Sequence, residues 1–191
     1  MKDLERVLGL DLAGSPRRRT GYAYWSGSLK VGILYDDEEI LNLAVNFSLV
    51  MMDAPLSLPK GRKNLQEIGP HFRECDLLLR KHGYKFFPIT LGPMRMLTER
   101  GIKLAKILKS YGIDVFETFP GAFYDTFGVK RKDKERIAKL YKNLGFELEN
   151  REYTQDELDA VACFLTGKFY LEGKTVEFSG SDGSIIIPRR P

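Results

Sequence analysis

Cysteine is scarce in this chain: Cys75 and Cys163 are the only two among 191 residues. Two cysteines cannot build a disulfide framework, so a reducing, cytoplasmic setting is expected. Histidine is equally scarce, at His71 and His82. His71, Cys75 and Asp76 lack a good fourth ligand and no Cys-x-x-Cys occurs, which argues against a structural zinc. No apolar run approaches the roughly 20 residues that span a bilayer, so no membrane partner is expected. The start, MKDLERVLGLDLAG, meets acidic residues before any apolar stretch, which is wrong for a secretory signal. Neither a P-loop nor a G-x-G-x-x-G fingerprint is present, and nucleotide cofactors lose their support. Glutamine occurs only as Gln66 and Gln155 against abundant Lys, Arg and Glu, a balance seen in heat-adapted proteins. Internal repeats, low-complexity linkers and long charge blocks are also missing.

What remains is 43% hydrophobic and 29% charged, with a net charge of +4. That make-up predicts one globular domain over residues 1–191, and the mild basic surplus permits a nucleic-acid partner without requiring one. Residues 6–12 (RVLGLDL), 20–25 (TGYAYW) and 29–35 (LKVGILY) read as three strands separated by turn chemistry. Residues 36–46 open acidic and then place Ile40, Leu43, Ala44 and Phe47 at helical spacing. The fully apolar run 48–53 (SLVMMD) has the pattern of a strand covered on both faces. Residues 56–93 form a loop-rich insertion with a helix over 71–81. A helix over 93–111 follows, with Leu97, Leu104, Ala105, Leu108 and Tyr111 inward and Gly112 as its stop. Then come a buried strand over 114–118, a basic helix over 134–144 and a helix over 154–170. The last opens with the capping box Thr154-Gln155-Asp156-Glu157 and carries Leu158, Val161, Ala162, Leu165 and Phe169 as one apolar stripe. The order predicts an α/β fold: a mixed five-stranded sheet, three antiparallel N-terminal strands and then two parallel, with helices on both faces.

Three carboxylates, Asp11, Asp53 and Glu117, lie at or near the C-terminal ends of the expected buried strands, the edge where open α/β sheets bind ligands. A carboxylate closing an apolar strand costs stability unless it is solvated, hydrogen-bonded or metal-bound. Any one of them has a plain reading as turn chemistry; three on neighbouring strands shift the odds toward a shared cation. Asp156 and Asp159 on the last helix join them. Asp156 lies in line with the small residues Ala160, Cys163 and Gly167, which lets that helix approach the sheet closely. Asp156 and Glu157 also complement the helix dipole, a reading that is weak for Asp159 beyond the first turn. An all-oxygen cluster suits Mg²⁺ or Mn²⁺. Two such ions would activate a water for in-line phosphodiester displacement.

These residues carry a family likeness. Gly9-Leu10-Asp11-Leu12-Ala13-Gly14, Met52-Asp53-Ala54-Pro55-Leu56, Arg73-Glu74-Cys75-Asp76, Glu117-Thr118-Phe119-Pro120 and Asp156-Glu157-Leu158-Asp159-Ala160, in this order and spacing, resemble domain-of-unknown-function family 429. Its members are predicted nucleases of RNase H-like fold with a likeness to Holliday-junction resolvases. The resemblance implies an RNase H-like fold and a metal-dependent nuclease acting on DNA or RNA. It implies two ions held by Asp11, Asp53, Asp156 and Asp159, with Glu117, a family feature after the fifth strand, counted among the catalytic carboxylates. A homodimer would suit a resolvase.

Around this core, Arg17, Arg18 and Arg19 read either as phosphate contacts or as an exposed basic loop. Arg73 and Arg100 belong to the family-like motifs and read either as substrate contacts or as structural salt bridges. Residues 130–142 carry seven basic residues against two acids, a solvated face or a phosphate-backbone footprint. Cys163, inside a helix with small neighbours, reads as packing. Residues 9–15 also look like the first phosphate loop of sugar kinases and actin-like ATPases. Those proteins need a second such loop on a duplicated domain, which this chain lacks. The rival to a nuclease is a catalytically inactive nucleic-acid-binding or scaffold protein on the same fold, recognisable by acids that do not come together around an ion.

Overall fold

The computed structural model describes residues 3–85 and 87–190; Met1 and Lys2 of the N-terminal reading, Phe86 of the 56–93 insertion and Pro191 lie outside the described residues. The sheet is built from β1 (Val7–Asp11), β2 (Thr20–Trp25), β3 (Leu29–Leu34), β4 (Leu49–Met52) and β5 (Asp114–Glu117) in the order β3-β2-β1-β4-β5. β1–β2 and β2–β3 pair antiparallel, β1–β4 and β4–β5 parallel. The expected mixed sheet is therefore present. The fully buried β4, read from its unbroken apolar run, sits between β1 and β5 with both faces covered.

Helices cover both faces. α1 (Asp37–Ala44) is capped by Asp36, whose side chain accepts from the backbone N–H of Glu39. α1 and α3 (Gly92–Ser110) share a core with Leu8, Leu10, Val50 and Met52 on one face. The other face holds α4 (Pro120–Thr126), α5 (Lys134–Asn143) and α6 (Gln155–Leu171), packed on Val7 and Met51. The capping box at Thr154 forms as expected.

Four readings are corrected. Tyr111 is not an inner residue of α3 but 68% exposed, because Gly112 at φ 78° ends the helix at Ser110 and turns the chain away. α6 does not present a single stripe: residues 157–167 are all buried. It touches β1, β2 and β4 on one side and α4, α5 and β7 (Gly183–Pro188) on others. Residues 120–126, read only as a turn at Phe119-Pro120-Gly121, form α4, with Pro120 at its first position. The tail after α6, for which no element was expected, is a hairpin of β6 (Thr175–Gly180) and β7, turning at Ser181-Asp182. Its β7 meets the end of β5 through a parallel bridge between Thr118 and Ile186, covering what would otherwise be an open sheet edge. Its tip is tied to the segment before α3: Asp182 accepts from the backbone N–H groups of Lys60 and Glu74. The helix expected over 71–81 is α2, which runs Glu74–Lys81.

α6 lies close against the sheet at two strand glycines. A side chain on Gly9 would place its Cβ 2.3 Å from the Ala160 carbonyl oxygen and 2.3 Å from the Phe164 nitrogen. At Gly21 it would fall 2.0 Å from the Asp156 carbonyl oxygen. Bare backbone on β1 and β2, as much as the small residues of α6, brings the acidic start of α6 against the end of β1.

Candidate active site

β1 ends at Asp11, and Asp53 follows β4 with its N–H donated to the Leu10 carbonyl at 2.8 Å, which carries the parallel ladder one residue further. The two aspartates therefore stand side by side at the C-terminal edge. Strand alternation gives them a common face: Val7, Gly9 and Asp11 turn toward α6, whereas Leu8 and Leu10 turn toward α1 and α3. Their carboxyl groups are near enough to perturb each other. Burial, followed by the charges of Asp53 and Asp159, pushes the Asp11 carboxyl well above the carboxylate range. Burial and then Asp159 push Asp53 up to about 7, with Arg131 opposing. Two adjacent buried carboxyls repel when both are charged, so each is held above the usual carboxylate range although Arg131 opposes the shift.

Asp159, in the second turn of α6, is 0% exposed. Its two oxygens have different partners. Oδ1 accepts from the Tyr124 hydroxyl at 2.9 Å and from Gln155 Nε2 at 2.7 Å. Oδ2 accepts from Arg131, whose Nε lies at 2.8 Å and whose Nη2 makes a second bond to the same oxygen. Asp156, one turn earlier and partly exposed, accepts from Arg19 Nε at 3.1 Å.

Glu117 does not join them. It is in register with Leu10 and Met52, not with Asp11 and Asp53, so the pleat turns it to the opposite side. There Arg73 clamps it through two bonds of 2.7 Å, and the Leu56 N–H adds a third at 3.0 Å. Arg73 spends its remaining donors on Asp76 and Ser57 and is 0% exposed. The expected substrate contact at Arg73 is thereby corrected: its guanidinium is a buried structural clamp with no donor left for a phosphate. Arg100 is corrected likewise. Its Nε donates to Asp37 at 2.8 Å, and its Nη1 and Nη2 donate to the carbonyls of Ala13 and Tyr35 at 2.7 Å each. It braces the loop leaving β1 rather than facing solvent.

A cleft of about 730 Å³ opens over the strand ends. Asp11, Asp53, Glu117 and Asp156 lie along it, with Arg17, Arg18, Arg19, Lys85 and Arg131 supplying positive charge. Asp159 lies behind Arg131. Among the described residues, no three His, Cys, Asp or Glu side chains are arranged to hold a metal ion. The expected four-acid set is thus brought together only in part: Asp11 and Asp53 meet, Asp159 is within electrostatic reach of both, and Asp156 is turned to Arg19. In kind the donors fit a hard divalent cation, being carboxylate oxygens whose mutual repulsion a dication would relieve. In arrangement, Arg131 stands where Asp159 would complete the set.

The sequence reading missed Arg131, Tyr124 and Gln155. Arg131 was hidden in a basic run whose bulk is solvated. Tyr124 lay in a stretch read as a turn, and Gln155 counted only as a capping residue. His71 Nδ1 lies 2.5 Å from Thr90 Oγ1, and Asp76 is paired with Arg73. Cys75 and Cys163 are free and buried, and burial pushes the Cys75 thiol up to about 12. No described helix is long and apolar enough to cross a membrane.

No protein-family model matches the chain, and no curated protein does. Among solved structures, T. thermophilus RuvC in complex with Holliday junction substrate is similar over 93% of this chain and 98% of its own, with 14% identity and a TM-score of 0.50. At that identity the likeness speaks to the fold: a mixed five-stranded sheet with helices, RNase H-like.

Proposed function

We propose that this chain is a divalent-metal-dependent nuclease that hydrolyses phosphodiester bonds in DNA or RNA. We place it in domain-of-unknown-function family 429, as one RNase H-like unit over 1–191 with 56–93 inserted. The observation that carries this reading is the meeting of Asp11 and Asp53 from adjacent parallel strands, beneath an arginine-rimmed cleft and beside the start of α6. The junction DNA held by RuvC, on the same fold, supports nucleic acid as the partner.

Asp11, Asp53, Asp156 and Asp159 would hold Mg²⁺ or Mn²⁺, two ions in all. Such ions, when bound, supply positive charge that acidifies a water and stabilises the attacking and leaving oxygens of an in-line displacement. The protein's own groups do the rest. Arg17 and Arg18 reach the cleft as phosphate ligands, fixing the backbone without reading sequence. Tyr124 and Gln155 hold Asp159 Oδ1 and so set the direction of Oδ2. The water oxygen joins phosphorus as the P–O3′ bond breaks, leaving a 5′-phosphate and a 3′-hydroxyl. The free, buried cysteines suit a reducing cytoplasm. A homodimer, matching a two-fold substrate, belongs to the same reading.

Asp11→Asn and Asp53→Asn are expected to lower Mg²⁺-dependent cleavage of single-stranded, hybrid and branched oligonucleotides on the order of 10³-fold or more, with circular dichroism unchanged. Full activity in either variant overturns the proposal. A second reading is favoured by one observation: Arg131 already neutralises Asp159. On that reading the chain is an inactive nucleic-acid-binding protein, and calorimetry would find no Mn²⁺ bound at millimolar concentration.

A further inference from the structure

We propose that Arg131 is the resident counter-cation of the carboxylate cluster, occupying Asp159 Oδ2 until a divalent cation displaces it. The inference rests on the metal reading above and says what this chain must give up to bind the ion.

Three features carry it. First, the partners of Asp159 divide by oxygen: Tyr124 and Gln155 share Oδ1, and Arg131 alone takes Oδ2. Departure of Arg131 therefore frees one oxygen while the other stays tied, and the carboxylate keeps its orientation. Second, Arg131 is anchored unlike the two structural arginines. Arg73 and Arg100 distribute their donors over several groups and are buried. Among the described residues the hydrogen bonds of Arg131 go to Asp159 alone, and its side chain is 52% exposed against 0% for Asp159. It reaches in from the cleft and can swing back into it. Third, it serves the whole cluster by position, lining the same cleft as Asp11 and Asp53 while pairing with Asp159. A guanidinium can pair with one carboxylate and offset part of the charge of its neighbours but cannot accept their lone pairs in a coordination shell, so guanidinium and dication compete for one oxygen. A displaced guanidinium has a use in the cleft, since its planar fork matches two oxygens of a phosphodiester.

The test is Mn²⁺ titration of the full chain by calorimetry, with the free-Mn²⁺ electron paramagnetic resonance signal as a check. Arg131→Gln is expected to bind Mn²⁺ roughly 10- to 100-fold tighter than wild type, the span a charge-assisted hydrogen bond is worth. Arg131→Lys, which keeps the charge but loses the fork, should fall between. Without metal, Arg131→Gln should melt lower than wild type, and saturating Mn²⁺ should narrow the gap. In the wild-type protein, the Arg131 Nε–Hε resonance should move to a solvent-exposed position as Mg²⁺ is added, which tests displacement without any variant. Wild type that binds Mn²⁺, with folded Arg131→Gln binding it no tighter, overturns the inference and leaves the metal reading standing. An Arg131 resonance unmoved at saturating Mg²⁺ does the same. Absence of Mn²⁺ binding in every variant overturns both.

Discussion

Arg73 shows how far a side chain's role depends on what surrounds it. In the sequence it sits in a motif with Glu74 and Asp76; in the fold it joins the start of α2 to the end of β5 through Glu117. Burial pushes the Glu117 carboxyl up, with Arg73 opposing. Removing the guanidinium strands two buried carboxylates, and breaking a buried pair from one side typically costs about 3–5 kcal/mol. Arg73→Met should lower unfolding free energy at pH 7 by that order in urea titration. An arginine held only for substrate would leave stability within about 0.5 kcal/mol and weaken nucleic-acid binding instead. Nothing in one sequence separates these roles, because a motif shows adjacency along the chain, and burial depends on what the rest of the chain places above it.

At the scale of elements, α6 on β1 and β2 is the contact that builds the site. It depends on strand glycines as well as on helix composition. A methyl at Gly9 meets backbone atoms of Ala160 and Phe164, which cannot turn aside as a flexible side chain would. Gly9→Ala is expected to destabilise by about 3 kcal/mol, at the upper end for overpacking, read as a lowered midpoint in thermal unfolding. It should also lift α6 and carry Asp159 away from Asp11. The strands, α1, α3 and α6 were legible with boundaries close to those observed. Their periodicity and caps are local, as at Asp36 and Thr154. The hairpin after α6 was missed although Ser181-Asp182 lies between two β-prone runs, and α4 was missed because Pro120-Gly121 reads as a turn. Glu117 was grouped with Asp11 and Asp53 because strand ends were counted without register; the pleat then separates them.

Over the whole molecule, ion pairs at a distance from the cleft decide how the fold meets acid. Asp37 links α1 to α3 through Arg100 and Lys103. Partial burial alone would raise its carboxyl, but hydrogen bonds from Lys103 and Arg100 outweigh this and hold it below the usual range. A carboxyl depressed in the folded state stabilises above its unfolded pKa, and that contribution fades as pH falls through the folded value. Urea unfolding should show Asp37→Asn less stable than wild type at pH 6, with the difference shrinking from pH 4 toward pH 2. A constant difference across that range would assign the loss to packing instead. The same scale accounts for the net charge. The +4 surplus conceals an acidic floor, and Arg17, Arg18, Arg19, Lys85 and Arg131 gather at the cleft above it.

The order of residues along the chain was enough to establish the sheet, its antiparallel and parallel halves, the helix caps and the candidacy of Asp11, Asp53 and Asp159, because each rests on short-range periodicity or on a residue's place at a strand or helix end. Folding alone settled which charges meet. Arg131 reaches Asp159 across 28 positions and Arg73 reaches Glu117 across 44, separations at which local pattern carries no information about contact. Whether an acid faces a cation, a phosphate or another acid is a matter of register and burial, and both come into being only when distant segments close on one core.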